Sequence, residues 1–189
     1  MDVTDYSVSM FDHCPFLKSS ILHGSTGWTV YEIGAGADRC AVEAELFHAG
    51  VQAAEWIRPL MGRPHGALVC ENLVITGALP EAEHRELMAW PHWALKHLYG
   101  PVGVMFGKFA QGAHERDRFG RNIPPPPFSF LPVRAAVRAR DSYFLSDTPD
   151  LARAVAVADD DGRDVFQHIP CDWKAVRAWA TSLPVPLRQ

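Results

Sequence analysis

The sequence predicts a single α+β domain over residues 1–189, with a mixed or antiparallel sheet packed with about four helices. Three observations carry that expectation. Apolar residues recur at three- and four-residue steps over 40–61, the period of an amphipathic helix. Runs rich in β-branched and aromatic residues at 28–33 and 101–109 have the composition of strands. Helix-like and strand-like segments follow one another in mixed order, and no composition break divides the chain.

Residues 1–27 show no clear period, although Phe11 to Phe16 is apolar enough to pack down. A strand is expected over 28–33. The glycines behind it, Gly34 and Gly36, lack the third glycine of a dinucleotide fingerprint, since position 39 is Arg. A long helix from about Cys40 to Met61 follows, with Asp38 as its N-cap and Gly62 as its stop. The apolar segment from Ala67 to Ile75 reads as a strand broken by Glu71 and Asn72. Pro80 and the glutamates behind it open a second helix running to Tyr99, in which Pro91 predicts a kink or a junction of two helices.

A strand is expected over 101–109, with Gly103 and Gly107 marking close approach to the backbone. Residues 110–127 form a long loop or lid ending in four consecutive prolines, a stiff extended tract. Alternation over 128–140 suggests a further strand, although a helix would also bring Arg134 and Arg138 together; as a strand, Pro132 would place it at a sheet edge. A helix opens at 147–150, a short strand is expected over 165–169, and Trp173 and Val176 share one side of a last helix.

Composition narrows the function. The chain has 18 Lys and Arg against 22 Asp and Glu, a net charge of −4. Proteins that hold nucleic acid by its phosphates are normally basic, so no nucleic-acid partner is expected. Apolar runs fall short of the ~18 residues of a membrane span, so no membrane partner is expected either. Acids but no Lys or Arg precede Lys18, unlike a signal peptide, and a cytoplasmic location is expected. Cys14, Cys40, Cys70 and Cys171 are far apart without a CxxC pair, which suits free thiols.

HisCysProPhe at 13–16, LeuTyrGlyProValGlyValMetPheGlyLysPhe at 98–109 and ProProProProPheSerPheLeuProValArg at 124–134 resemble a bacterial domain family of unknown function. The resemblance implies that the three segments lie near one another and form the working region. It carries no activity and no catalytic residue. A CysPro(Phe) start ahead of a Trp-rich α+β body is also similar to bacterial haem-dependent oxygenases of amino acids and related metabolites. That likeness assigns no ligand.

Three constellations could carry chemistry. His13–Cys14 and the His168/Cys171 pair supply metal donors, and a zinc site would draw on Cys14, His168 and Cys171. Haem would take one axial ligand, His97 first and Cys14 second. None of the nine histidines sits in a specific ligand motif, which slightly favours a protein with no bound cofactor over haem or zinc. The third is a run of arginines, Arg116, Arg118, Arg121, Arg134, Arg138 and Arg140, whose forks suit carboxylates and phosphates.

The leading expectation is an enzyme or ligand-binding protein for a small anionic metabolite. Arg134, Arg138, Arg116 and Arg118 would bind it over a strand opened by Gly103 and Gly107, with Cys14, His97 or Lys108 as catalytic candidates. Lys108 suits either Schiff-base chemistry or anion binding. The alternative is a noncatalytic interaction or structural domain, a homodimer whose tryptophans and proline tract form the interface. A haem- or metal-dependent oxidoreductase is the third.

Overall fold

In the computed structural model, which describes residues 3–77, 80–117 and 119–184, the chain begins with two short helices, α1 (Val3–Ser9) and α2 (Leu17–Leu22). Neither is long enough to show a helical period, so neither was legible in the sequence. Tertiary packing holds α1: Tyr6 is buried with its ring edge-on to Phe128 and Phe130.

Strand β1 (Thr26–Ile33) leads to helix α3 (Arg39–Met61). The Asp38 carboxylate accepts the Ala41 N–H at 2.9 Å, satisfying one of the unpaired donors of the first turn. Val42, Leu46, Ala49, Ala53 and Ile57 form the buried stripe expected from the period, and Phe47 beside it is buried as well. Strand β2 (Cys70–Gly77) runs unbroken through Glu71 and Asn72. Both polar side chains find cross-strand partners. Thr29 Oγ1 donates to Glu71, and Asn72 Nδ2 donates to the Gly27 carbonyl at 3.0 Å. The break expected there is therefore unnecessary.

Helix α4 (Glu81–Tyr99) passes through Pro91 as one helix rather than two. The lost backbone bond is outweighed by burial of Leu87, Met88, Ala94 and Leu95 on either side. A short 3₁₀ turn over 100–102 delivers strand β3 (Val104–Phe106), far shorter than the run 101–109 suggested. Backbone bonds to the next strand nevertheless continue at Gly107 and Phe109.

Strand β4 (Ser129–Ala135) pairs with both β2 and β3, and the sheet order is β1-β2-β4-β3. Pro132 is thus in a central strand, not an edge. Its carbonyl accepts the Gly107 N–H at 2.9 Å, while the proline has no N–H to return, and regular β3 pairing ends at Phe106. Helices α5 (Arg138–Asp141), α6 (Pro149–Ala156) and α7 (Trp173–Ser182) complete the chain. Seven α-helices are thus present among the described residues where about four were expected; α1, α2 and α5 are one or two turns each. Residues 165–169 form turns rather than the expected strand.

The fold is one α+β domain around a four-stranded mixed sheet: β1 and β2 are parallel, the other pairs antiparallel. Alternation along each strand divides the side chains between two layers. Leu73, Ile75, Leu131, Val133, Val104 and Phe106 join the main core with α3, α4 and α7. The opposite face carries Val74 and Phe130 beneath α1, and Met105 beneath Leu145, Leu151 and Val155. No described helix is long and apolar enough to cross a membrane.

Candidate anion site

The arginines singled out in the sequence lie in different surroundings. Arg134 is gripped by Asp141 through two bonds of 2.8 Å and also donates to the Ala135 carbonyl. Arg116 sits in the 110–127 loop, where its backbone bridges to Asn122, and Arg121 binds Asp117 and the Asp12 carbonyl. Arg140 lies over the Phe16 ring. Arg118 lies outside the described residues.

The segment 13–16 adjoins the loop and β4. His13 Nδ1 is 3.1 Å from Asp117, and Cys14 lies within electrostatic range of Cys70 and Arg134. Burial pushes the Cys70 thiol up to about 12, so it stays protonated at neutral pH.

Gly103 and Arg138 border a cavity of about 720 Å³, floored by Met61, Val102, Ala136 and Ala158. Its size suits a small ligand. Its wall charges are mixed, however. Arg58 is held by Asp160 and Glu55, and Asp159 adds a further acid. Gly103 adopts a left-handed φ of 85° with room around it, whereas a Cβ at Gly107 would come within 2.7 Å of the Pro132 ring. The first glycine answers a turn, the second a close approach between strands.

Metal donors do not converge. His168 is exposed beside Gln167, Cys171 is exposed, and Cys14 belongs with Cys70 and Arg134. Among the described residues no three His, Cys, Asp or Glu side chains are placed to hold one ion. His97 Nδ1–H donates to the Trp93 carbonyl one turn back at 3.0 Å, and its ring centre lies 4.1 Å from that of Trp93. Ser129 and His84 are hydrogen-bonded at 3.2 Å, but both are sealed in the interior.

A different basic group forms at the open edge of the sheet. Phe109 stacks on Phe130 on the α1 face, and Gly107 abuts Pro132 there, so Lys108 between them points to the α4 layer. Along α4, Arg85, Ala89, His92 and Lys96 recur at steps of three and four and share one flank. That flank borders β3, because His92 Nε2 lies 3.1 Å from the Phe106 carbonyl. A carbonyl can only accept, so Nε2 carries the proton and Nδ1 keeps its lone pair.

Electrostatics bind the group together. Burial, then the charges of Lys96 and Lys108, hold His92 well below its ordinary range, so it is neutral at pH 7. Burial and the Lys108 charge lower Lys96, while Asp141 pulls the other way. Burial and Arg85 lower Lys108, against Glu115. Among the described residues no carboxylate is within 4.0 Å of either ammonium, whereas seven arginines and one histidine do have such partners. Two partly buried cations without an ion-pair partner are costly, and an anion between them would relieve that cost.

Lys108 was legible as a single residue of interest. Lys96 was not singled out. The readable signal was the Arg85, His92, Lys96 spacing on one helical flank. No protein-family model, curated protein or solved structure matches this chain.

Proposed function

We propose that this chain binds a small organic anion, a carboxylate or phosphate ester, at the edge of β3. The carrying observation is the pair Lys96 and Lys108, partly buried and without carboxylate contact among the described residues, beside a neutral His92. An ammonium is a compact point charge that suits either anion class. Ordinary solvent-exposed lysines, such as Lys18 and Lys174 here, gain little from an anion because water already solvates them.

This reading keeps the expected anionic ligand and moves its principal contacts from the arginines to the lysines. Arg134 then acts at one remove, by occupying Asp141. The 720 Å³ cavity is less suited to an anion because Glu55, Asp159 and Asp160 share its wall.

Calorimetric and thermal-shift titration at constant ionic strength tests the reading. Phosphate, citrate and short monocarboxylates should raise Tm relative to chloride, by the equivalent of about 2.7 kcal/mol at a hundredfold excess over Kd. The Lys96→Ala/Lys108→Ala variant should lose the response and Arg138→Ala should keep it. An absence of stabilisation by every anion overturns the proposal.

A further inference from the structure

Only four lysines occur in the chain, Lys18, Lys96, Lys108 and Lys174, and the fold brings two of them to one place. Simple charge attraction would be served as well by arginines, of which the chain has many. An amine differs from a guanidinium in one chemical respect: once deprotonated it is a nucleophile.

We propose that Lys96 forms a reversible imine with the carbonyl carbon of a 2-oxo carboxylate, whose carboxylate is held by Lys108. The proposal rests on the anion reading above and names its substrate class.

Placement distinguishes the two amines. Lys96 lies one helical turn beyond His92 on the same flank of α4, whereas Lys108 projects from the strand side. Asp141 is the acid that favours the charged form of Lys96, yet its oxygens are engaged by Arg134 and by the Val137 N–H at 2.6 Å. It attracts Lys96 without contacting it. Burial and Lys108 work against the ammonium, so neutral amine becomes available closer to neutral pH than for a surface lysine. Lys108, with Arg85 behind it, supplies the complementary cation.

The chemistry balances without an external oxidant or reductant. The neutral Lys96 nitrogen attacks the carbonyl carbon, forming the C–N bond as the C=O pair moves to oxygen. A proton passes from nitrogen to that oxygen, giving a carbinolamine. His92 is placed to mediate the transfer: its Nε2–H is committed to Phe106, and among the described residues its Nδ1 has no hydrogen-bond partner. Loss of the hydroxyl as water leaves the imine, and addition of water reverses the sequence. The same neutral amine would serve an aldehyde, but only a carbonyl compound bearing an acid group also uses Lys108.

The test is reductive trapping on the intact protein. Pyruvate with cyanoborohydride should add one reduced adduct per chain, and peptide mapping should place it on Lys96 in clear excess over Lys18 and Lys174. Lactate, which has the carboxylate but no reactive carbonyl, should bind and protect Lys96 without being trapped. Lys96→Arg keeps the positive charge and should bind lactate while losing the adduct. His92→Gln preserves a donor to Phe106 and should slow trapping at least tenfold with little change in lactate affinity. Lactate binding without selective trapping on Lys96 overturns the imine and leaves the anion site standing. Failure to bind either acid, or phosphate, overturns both.

Discussion

Asp141 holds Arg134 in a two-pronged ion pair, each oxygen 2.8 Å from a guanidinium nitrogen, and also accepts the Val137 N–H. One carboxylate thereby fastens the end of β4 to the first turn of α5. The pair is unequally placed: the Asp141 side chain is 2 % exposed and that of Arg134 32 %. Asp141→Ala should therefore destabilise the protein by about 2–3 kcal/mol, toward the low end for a broken buried pair because Arg134 still reaches water. Urea unfolding measures this, and a loss under ~1 kcal/mol would show that the pair is not structural.

The contrast between local and long-range information accounts for what was legible. Asp38 caps α3 through the nearby Ala41 N–H, so it could be read from the residues beside it; Asp172 caps α7 in the same way and was not singled out. The long stripe of α3 was equally readable, since its period repeats over 23 residues. Pro132 misled because strand position depends on sheet order, which its neighbours do not encode. The same applies to the basic group: Lys96 and Lys108 come within electrostatic range only because α4 lies along the edge of β3, and twelve positions separate them in the chain.

Gly103 and Gly107 should respond differently to alanine. At Gly107 the added methyl meets the Pro132 ring at 2.7 and 3.3 Å, and a ring within a paired strand has little freedom to withdraw. Gly107→Ala should cost about 1–3 kcal/mol through overpacking. At Gly103 the nearest atoms are 3.8 and 3.9 Å away, so the cost is the backbone's, about 1–2 kcal/mol for φ of 85°. A smaller residue at position 132, as in the double variant Gly107→Ala/Pro132→Ala, should recover stability for Gly107→Ala and do nothing for Gly103→Ala. Double-mutant cycles by chemical denaturation read this directly.

Glu43 is fully buried, yet it contacts Arg39 on its own helix at 3.3 Å and Arg177 on α7 at 2.6 Å. It is the ionic tie between α3 and α7. Glu43→Gln keeps the shape and removes the charge, leaving Arg177 with a weaker partner. The expected loss is about 2–3 kcal/mol. Native-state hydrogen exchange should show protection falling first over Trp173–Ser182. Uniform loss of protection across the sheet would instead mean that Glu43 supports the whole core rather than the docking of one helix.

The partly buried His92 gives stability a defined pH dependence. Its folded-state pKa is depressed, first by burial and then by Lys96 and Lys108, with His97 adding to the same effect; the Phe106 carbonyl opposes it. As pH falls below about 6.5, the ordinary histidine value, the unfolded chain takes up a proton that the folded chain refuses. The unfolded state then binds more protons, so stability falls with acidification and continues to fall until the depressed folded pKa is reached. One such proton contributes a slope of at most about 1.4 kcal/mol per pH unit. His92→Gln can still donate to Phe106 but cannot titrate, and its stability should fall less steeply between pH 6.5 and 5 than that of the native protein. Both proteins carry the same Lys96 and Lys108, so the difference between the two curves reads His92. Parallel curves would show that the fold does not depress the His92 pKa and that the imidazole takes up its proton as readily as in the unfolded chain.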